Sequence, residues 1–209
     1  MNGLGYERYG AHGNDAGSMV SPEIGRIERD RVVGVHVTQL FSFPSGDPAE
    51  FDDMSEEDMS AMKFLEEFTA AGGLAYNQYQ SAQPQTLAYA LQDSPVGWLA
   101  WVTQLFQRFV EPDYIFVNAS AYWLTNTIGS SIRHYYEDMH AGQPPTEPTT
   151  APTGVAIFAD DFQTIRKLAE RDHEGIVSWN RYDRGSHFAP HDAPDLLLDD
   201  IRRFFRDLR

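Results

Sequence analysis

At 209 residues with 42% hydrophobic side chains, the chain is long enough for one sizeable core, or a core plus a lid, and is not disordered. A formal net charge of -15 argues against a nucleic-acid partner, because phosphate binding needs clustered Lys and Arg; the acidity reads as solubility. Zero cysteines exclude disulfides, a thiolate nucleophile and cysteine metal sites, and the lack of an apolar run of about 18 residues or of a secretory leader makes a cytoplasmic protein with no membrane span the expectation.

Residues 8–12 read as a short strand that runs into Gly13-Asn14-Asp15-Ala16-Gly17. That stretch has the pattern of a nucleophile elbow, G-x-Nu-x-G, in which the central residue sits on a strained strand-to-helix turn and small neighbours let the backbone fold. The nucleophile would be Asp15, a carboxylate kept ionised near a helix N-terminus and able to attack carbon to form an ester. The same residues fit an ordinary Asn-Asp-x-Gly turn. Residues 18–30 follow as a helix, weakened by Pro22 and Gly25, and residues 31–40 (RVVGVHVTQL) are the clearest strand, which makes a parallel βαβ unit. His36 in that strand is expected to be a satisfied core or edge histidine.

Residues 41–57 are proline-rich, acidic and irregular, and beyond them the pattern turns helical for about 85 residues. Ser55 offers an N-cap, Met59, Met62, Leu65 and Phe68 make an apolar stripe, and Gly72-Gly73 end that helix. Residues 74–82 (LAYNQYQSA) are short and aromatic, with Pro84 after them. Ser94-Pro95 open a second long helix carrying Trp98, Trp101, Val102, Leu105, Phe106 and Phe109, and residues 119–139 are a third, ending in His134-Tyr135-Tyr136. Most of these aromatics are expected in the core.

Four prolines make residues 142–152 a linker. After it come a buried strand at 154–158 (GVAIF), a helix at 162–171, a strand at 175–179 (GIVSW), a loop at 183–188 and an amphipathic helix at 192–208. Four segments result: an α/β piece with the elbow (1–45), a helical cap (46–142), a proline-rich linker (143–153), and a second α/β piece (154–209). The cap is thus a helical insertion between two pieces of one sheet.

In parallel sheets the loops after the strands share one edge, where ligands bind. Three such loops carry Asp15, Asp160-Asp161 and His187, and nucleophile, acid, histidine is the chain order of α/β-hydrolase triads. An ester on Asp15 must be released by water, so His187 would be the base and Asp161 the group that orients its ring. Asp160 and Asp161 equally fit as N-caps for a helix from Phe162. His187 and His191 have metal-pair spacing, which the intervening Pro190 disfavours.

Over residues 4–205 the chain resembles the C-terminal portion of an epoxide hydrolase of the microsomal type, an α/β-hydrolase-fold family with a helical cap. The matching segments are LGYERYGAHGNDAGS at the elbow, AYNQYQSAQPQTLAYALQDSPVGWLAW and YWLTNTIGSSIRHYYED in the cap, PTGVAIFADD at the acid, and RGSHFAPHDAPDLLLDDIRRF at the histidine. The resemblance implies Asp15 as nucleophile, Asp161 as acid, His187 as base, and Tyr76 and Tyr135 as cap tyrosines aimed at the epoxide oxygen. Tyr79 and Tyr136 are their neighbouring alternatives. It also implies an oxyanion donor at the amide of Ala16, a small hydrophobic epoxide and water as substrates, a vicinal diol as product, and no metal or cofactor.

The family usually has a second glycine and a bulky residue at the positions of Asn14 and Ala16. It also has four strands, a helical segment and a His-Gly-x-Pro loop ahead of the elbow, where this chain has a few residues. The expectation is therefore an incomplete parallel sheet with the elbow strand at its edge, covered by a second copy or an N-terminal complementing segment, and one oxyanion donor fewer. Two other functions stay open: a non-catalytic truncated member acting as a binding module, and a haloalkane dehalogenase, which the paired tyrosines disfavour.

Overall fold

Strands that must be apolar on both faces need helices on both sides, and the valine-rich runs of this chain meet that condition. The computed structural model describes residues 1–106, 110–142 and 147–208; Phe109 and residues 143–146 of the linker lie outside the described residues. The chain divides into two compact units, Met1–Glu66 with Pro145–Arg209, and Glu67–Pro144.

The first unit holds a four-stranded, wholly parallel sheet in the order β1 (Tyr9–Gly13), β2 (Val32–Val37), β3 (Thr153–Ile157), β4 (Ile176–Arg181). Side chains alternate along each strand. Val35, Val155 and Ile157 therefore face α1 (Ala16–Ile27) and Ala169 of α8 (Arg166–Asp172). Ala156 and Phe158 face the other way, onto Ala189 of α9 (Ala189–Asp192) and Leu197 of α10 (Pro194–Arg206). Helix α10 lies hard against the strands, because a Cβ on Gly154 would come within 2.6 Å of Phe204 and one on Gly34 within 3.1 Å of the same ring. β1 ends the sheet, with no strand on its outer side among the described residues.

A buried polar network ties this face together. His36 Nε2 donates to Asp200 Oδ1 at 3.0 Å, and Asp200 Oδ2 accepts from Asn180 at 2.9 Å, from Arg203 at 3.2 Å and from the Tyr182 hydroxyl. His36 Nδ1 meets His12 Nδ1 at 3.0 Å. Desolvation and the neighbouring His36 push His12 down to about 4, so His12 is neutral and can donate to His36. His36 is thus a structural residue with both ring nitrogens occupied.

Helix α2 (Glu56–Ala70) opens with a capping box: the Asp58 amide donates to Ser55 Oγ at 3.1 Å, and the Ser55 amide donates to Asp58 Oδ2 at 3.3 Å. The other Asp58 oxygen accepts the Lys167 amide at 3.2 Å, so one carboxylate serves the N-termini of α2 and α8. The second unit contains α3 (Ala75–Ala82), α4 (Pro84–Gln92), α5 (Pro95–Phe106), α6 (Pro112–Thr125) and α7 (Ile128–His140). Here α7 packs on α3 and α4, and α5 packs on α6.

Four boundaries differ from those read in the sequence. Residues 119–139 are two helices, because Asn126 adopts a left-handed conformation (φ 54°, ψ 40°) and its amide caps the carbonyls of Tyr122 and Trp123. Pro84 opens a helix of its own, α4, as the first helical residue. Helix α8 starts at Arg166, not Phe162, since Ile165 is extended at φ -81°, ψ 109°. The closing helix is broken at Ala193, where Pro194 begins α10.

Candidate active site

β1 must turn into α1 within two residues, and the backbone passes very close to itself there. A Cβ on Gly13 would fall 1.9 Å from the Gly17 carbonyl oxygen, so only glycine fits. Asp15 is forced to φ 53°, ψ -125°, a conformation that costs a non-glycine residue about 1–3 kcal/mol. The strain lifts its carboxylate off the sheet edge, with Oδ1 accepting the Ala16 amide at 2.6 Å.

The loop after β3 holds Asp161, whose carboxylate is 3% exposed and whose Oδ1 accepts the Phe162 amide at 2.7 Å. The loop after β4 turns at Gly185 (φ 95°) and is pinned to the β3 loop by the Asp160 amide, which donates to the Gly185 carbonyl at 2.9 Å. This delivers His187 between two carboxylates: Nε2 lies 2.8 Å from Asp15 Oδ2 and Nδ1 lies 2.9 Å from Asp161 Oδ1. The Asp15 side chain is 56% exposed, so its carboxylate is open to an incoming molecule while that of Asp161 is not.

Burial alone would disfavour charge on His187, but its hydrogen bonds to Asp15 and Asp161, and their charges, outweigh it and raise the ring from 6.5 to about 10. In the resting site His187 is an imidazolium held by two carboxylates. Both its nitrogens are engaged, which leaves none for a metal pair with His191. Among the described residues no group of three or more His, Cys, Asp or Glu side chains could hold a metal ion. Neither Asp160 nor Asp161 caps α8, which starts five residues beyond Asp161.

No family model matches the chain. A putative epoxide hydrolase of Stigmatella aurantiaca is 32% identical over 100% of this chain and 49% of its own length. Epoxide hydrolase 1 of Sus scrofa is 25% identical over 96% of this chain and 51% of its own length. The chain is a relative of the epoxide hydrolases. Among solved structures, that of Aspergillus niger epoxide hydrolase superposes with a TM-score of 0.83 at 24% identity, covering 100% of this chain and 55% of the other. Juvenile hormone epoxide hydrolase of Bombyx mori gives 0.83 at 21% identity, over 100% of this chain and 57% of the other. The fold is that of the α/β-hydrolases, with an incomplete parallel sheet, and the chain spans about half the length of the curated relatives it matches. No helix among the described residues is long and apolar enough to cross a membrane.

In this epoxide hydrolase relative, Tyr76 on α3 and Tyr135 on α7 lie in the helical unit and pair with each other edge to face, ring centroids 6.0 Å apart. Their neighbours are placed differently: Tyr79 is 46% exposed, and Tyr136 stacks on His140 at 4.1 Å. Sequence reasoning assigned no role to two residues of the core site. Asn14 donates to the His187 carbonyl at 2.7 Å and accepts from the Thr38 hydroxyl at 2.9 Å. Gln39, fully buried, reaches the Asp15 amide, the Asp161 carboxylate and the His187 ring. Its one legible cue is its place just beyond the strand that lies between β1 and β3.

Proposed function

We propose that the chain carries the reacting groups for hydrolysis of a small hydrophobic epoxide to a vicinal diol through an ester on Asp15. The observation that carries this reading is a single histidine bridging an exposed and a buried carboxylate at 2.8 and 2.9 Å. Asp15 Oδ2 attacks an epoxide carbon, the ring C–O bond breaks, and its electron pair leaves with the oxygen. The phenols of Tyr76 and Tyr135 donate hydrogen bonds to that oxygen, which gains the proton that His187 gives up.

Neutral His187 then takes a proton from water as the hydroxide adds to the Asp15 ester carbon. The ester's carbonyl oxygen is Oδ1, already 2.6 Å from the Ala16 amide, which is where a donor must stand when that oxygen becomes negative. Collapse expels the diol, which takes the remaining hydroxyl proton, and Asp15 and His187 return to their starting charges. Epoxide plus water gives diol, with no cofactor in the balance. The open edge of β1 is where a complementing segment or a second copy adds a strand.

The test is diol formation from a styrene-oxide-like epoxide, with mass spectrometry of the quenched protein. The expected result is an alkyl adduct on Asp15 that Asp15→Asn does not form, and a loss of rate on the order of 100-fold for Tyr76→Phe or Tyr135→Phe. Halide release from a haloalkane with no turnover of epoxide would overturn the assignment in favour of a dehalogenase.

A further inference from the structure

Asp15 and Asp161 stand at the ends of β1 and β3, which are separated by β2 and hence by about 10 Å. The loop after β2 carries no reacting group in the proposed mechanism, yet its first two residues, Thr38 and Gln39, are fully buried among charged groups. Resting on that mechanism, the geometry points to Gln39 as a positioning residue: its amide, clamped by the elbow, holds the second carboxylate oxygen of Asp161 and so keeps the acid aimed at His187.

The orientation of the amide follows from its neighbours. Oε1 accepts from Ser18 Oγ at 3.0 Å, lies beside the Thr38 hydroxyl oxygen, and faces the Asp15 amide at 3.4 Å. Nε2 faces Asp161 Oδ2 at 3.4 Å and His187 Nδ1 at 3.4 Å. Turning the amide over would set its NH2 against the Asp15 N–H and its oxygen against the Asp161 carboxylate, which is the strongest charge beside it.

Asp161 needs this partner. Its Oδ1 serves both His187 and the Phe162 amide, and a carboxylate this deeply buried requires donors on both oxygens. A neutral amide supplies one without adding charge to a site that already holds Asp15, Asp161 and His187. Glutamate there would add a third carboxylate, and lysine would compete with the imidazolium. The partial positive charge on Nε2 also opposes a proton on His187, which favours the neutral ring that the hydrolytic step uses.

The experiment compares Gln39→Met, which keeps length and removes the donor, with Gln39→Glu, which keeps size and adds charge. Quenched single turnovers read formation and loss of the Asp15 ester separately, and NMR reads the titration of the His187 ring in the resting protein. Gln39→Met is expected to slow ester loss about tenfold with ester formation within about threefold, so that ester accumulates. Both variants raise the His187 titration, Gln39→Glu further, and Gln39→Glu moves the pH profile of ester loss to higher pH. Equal slowing of both steps together with a lower melting temperature would assign Gln39 a merely structural role and overturn the inference. If Gln39→Met does not fold, an unmoved profile in Gln39→Glu does so. A His187 titration unmoved in both variants refutes it whether or not ester forms, whereas an unsubstituted protein that forms no ester refutes the underlying mechanism.

Discussion

The two glycines of the elbow have unequal burdens, and substituting each by alanine separates them. At Gly13 the added Cβ meets backbone, 1.9 Å from the Gly17 oxygen, 2.1 Å from its carbonyl carbon and 2.7 Å from Ser21 Oγ. An ordinary contact is near 3.5 Å, so the first turn of α1 must retreat by more than about 1 Å. Overpacking of this kind costs about 3 kcal/mol or more, which for a chain this long lowers the melting temperature by about 6–12 °C. The same retreat carries Asp15 away from His187, and misplacement by about 1 Å costs about 100-fold in rate. At Gly17 a Cβ meets nothing within 4 Å and the backbone is helical, so alanine gains up to about 1 kcal/mol, or about 2–4 °C. Thermal melts and diol assays on Gly13→Ala and Gly17→Ala read both effects. A Gly13→Ala protein with unchanged melting temperature and rate would refute the view that this close approach builds the site.

His187 has an unfolded value near 6.5 and a folded value of about 10, so the stability it contributes is fully present below pH 6.5 and is lost as pH rises through 10. The melting-temperature difference between the protein and His187→Gln should shrink across that window; a constant difference would refute the charge assignment. For the buried network, Asp200→Ala strands His36, Asn180 and Tyr182 without their shared acceptor and is expected to cost about 3–5 kcal/mol, about 6–20 °C in melting temperature. A drop below about 2 °C would show that the network adds nothing to stability.

What the sequence made legible follows from the range of the interactions involved. The elbow is local: five residues with a glycine at the point of closest approach specify it. The strands were legible because both faces of β2 and β3 are covered, which demands unbroken apolar runs. The break at Asn126 was not, since asparagine occupies helix interiors and left-handed caps alike and only the packing of α6 and α7 decides. Asp161 reads as a helix cap in sequence because the extended stretch that delays α8 to Arg166 has no compositional mark. Gln39 and Asp200 were least legible: their partners lie 122 and 164 residues away, and a glutamine after a strand matches no pattern of catalysis.

The charge balance at His187 decides whether one histidine can serve both halves of the reaction. A ring held near 10 is protonated at neutral pH and cannot take a proton from water. Two carboxylates hold it there, but in the proposed mechanism only Asp161 is permanent, because alkylation would turn Asp15 into a neutral ester. Once that charge is gone, the hydrogen bond and the Coulombic attraction from Asp15 vanish together, and burial pulls the ring back toward the neutral form. In that mechanism the step that creates the ester would thereby create the base that removes it. Asp15→Asn imitates the ester's neutrality without its chemistry, so NMR titration of His187 in that variant should show a clear fall from the value in the unsubstituted protein. Asp161→Asn should also lower the titration while leaving Asp15 ionised. A His187 titration that stays near 10 in Asp15→Asn would mean that Asp161 alone sets the ring's basicity, and that the switch from imidazolium to base needs another cause.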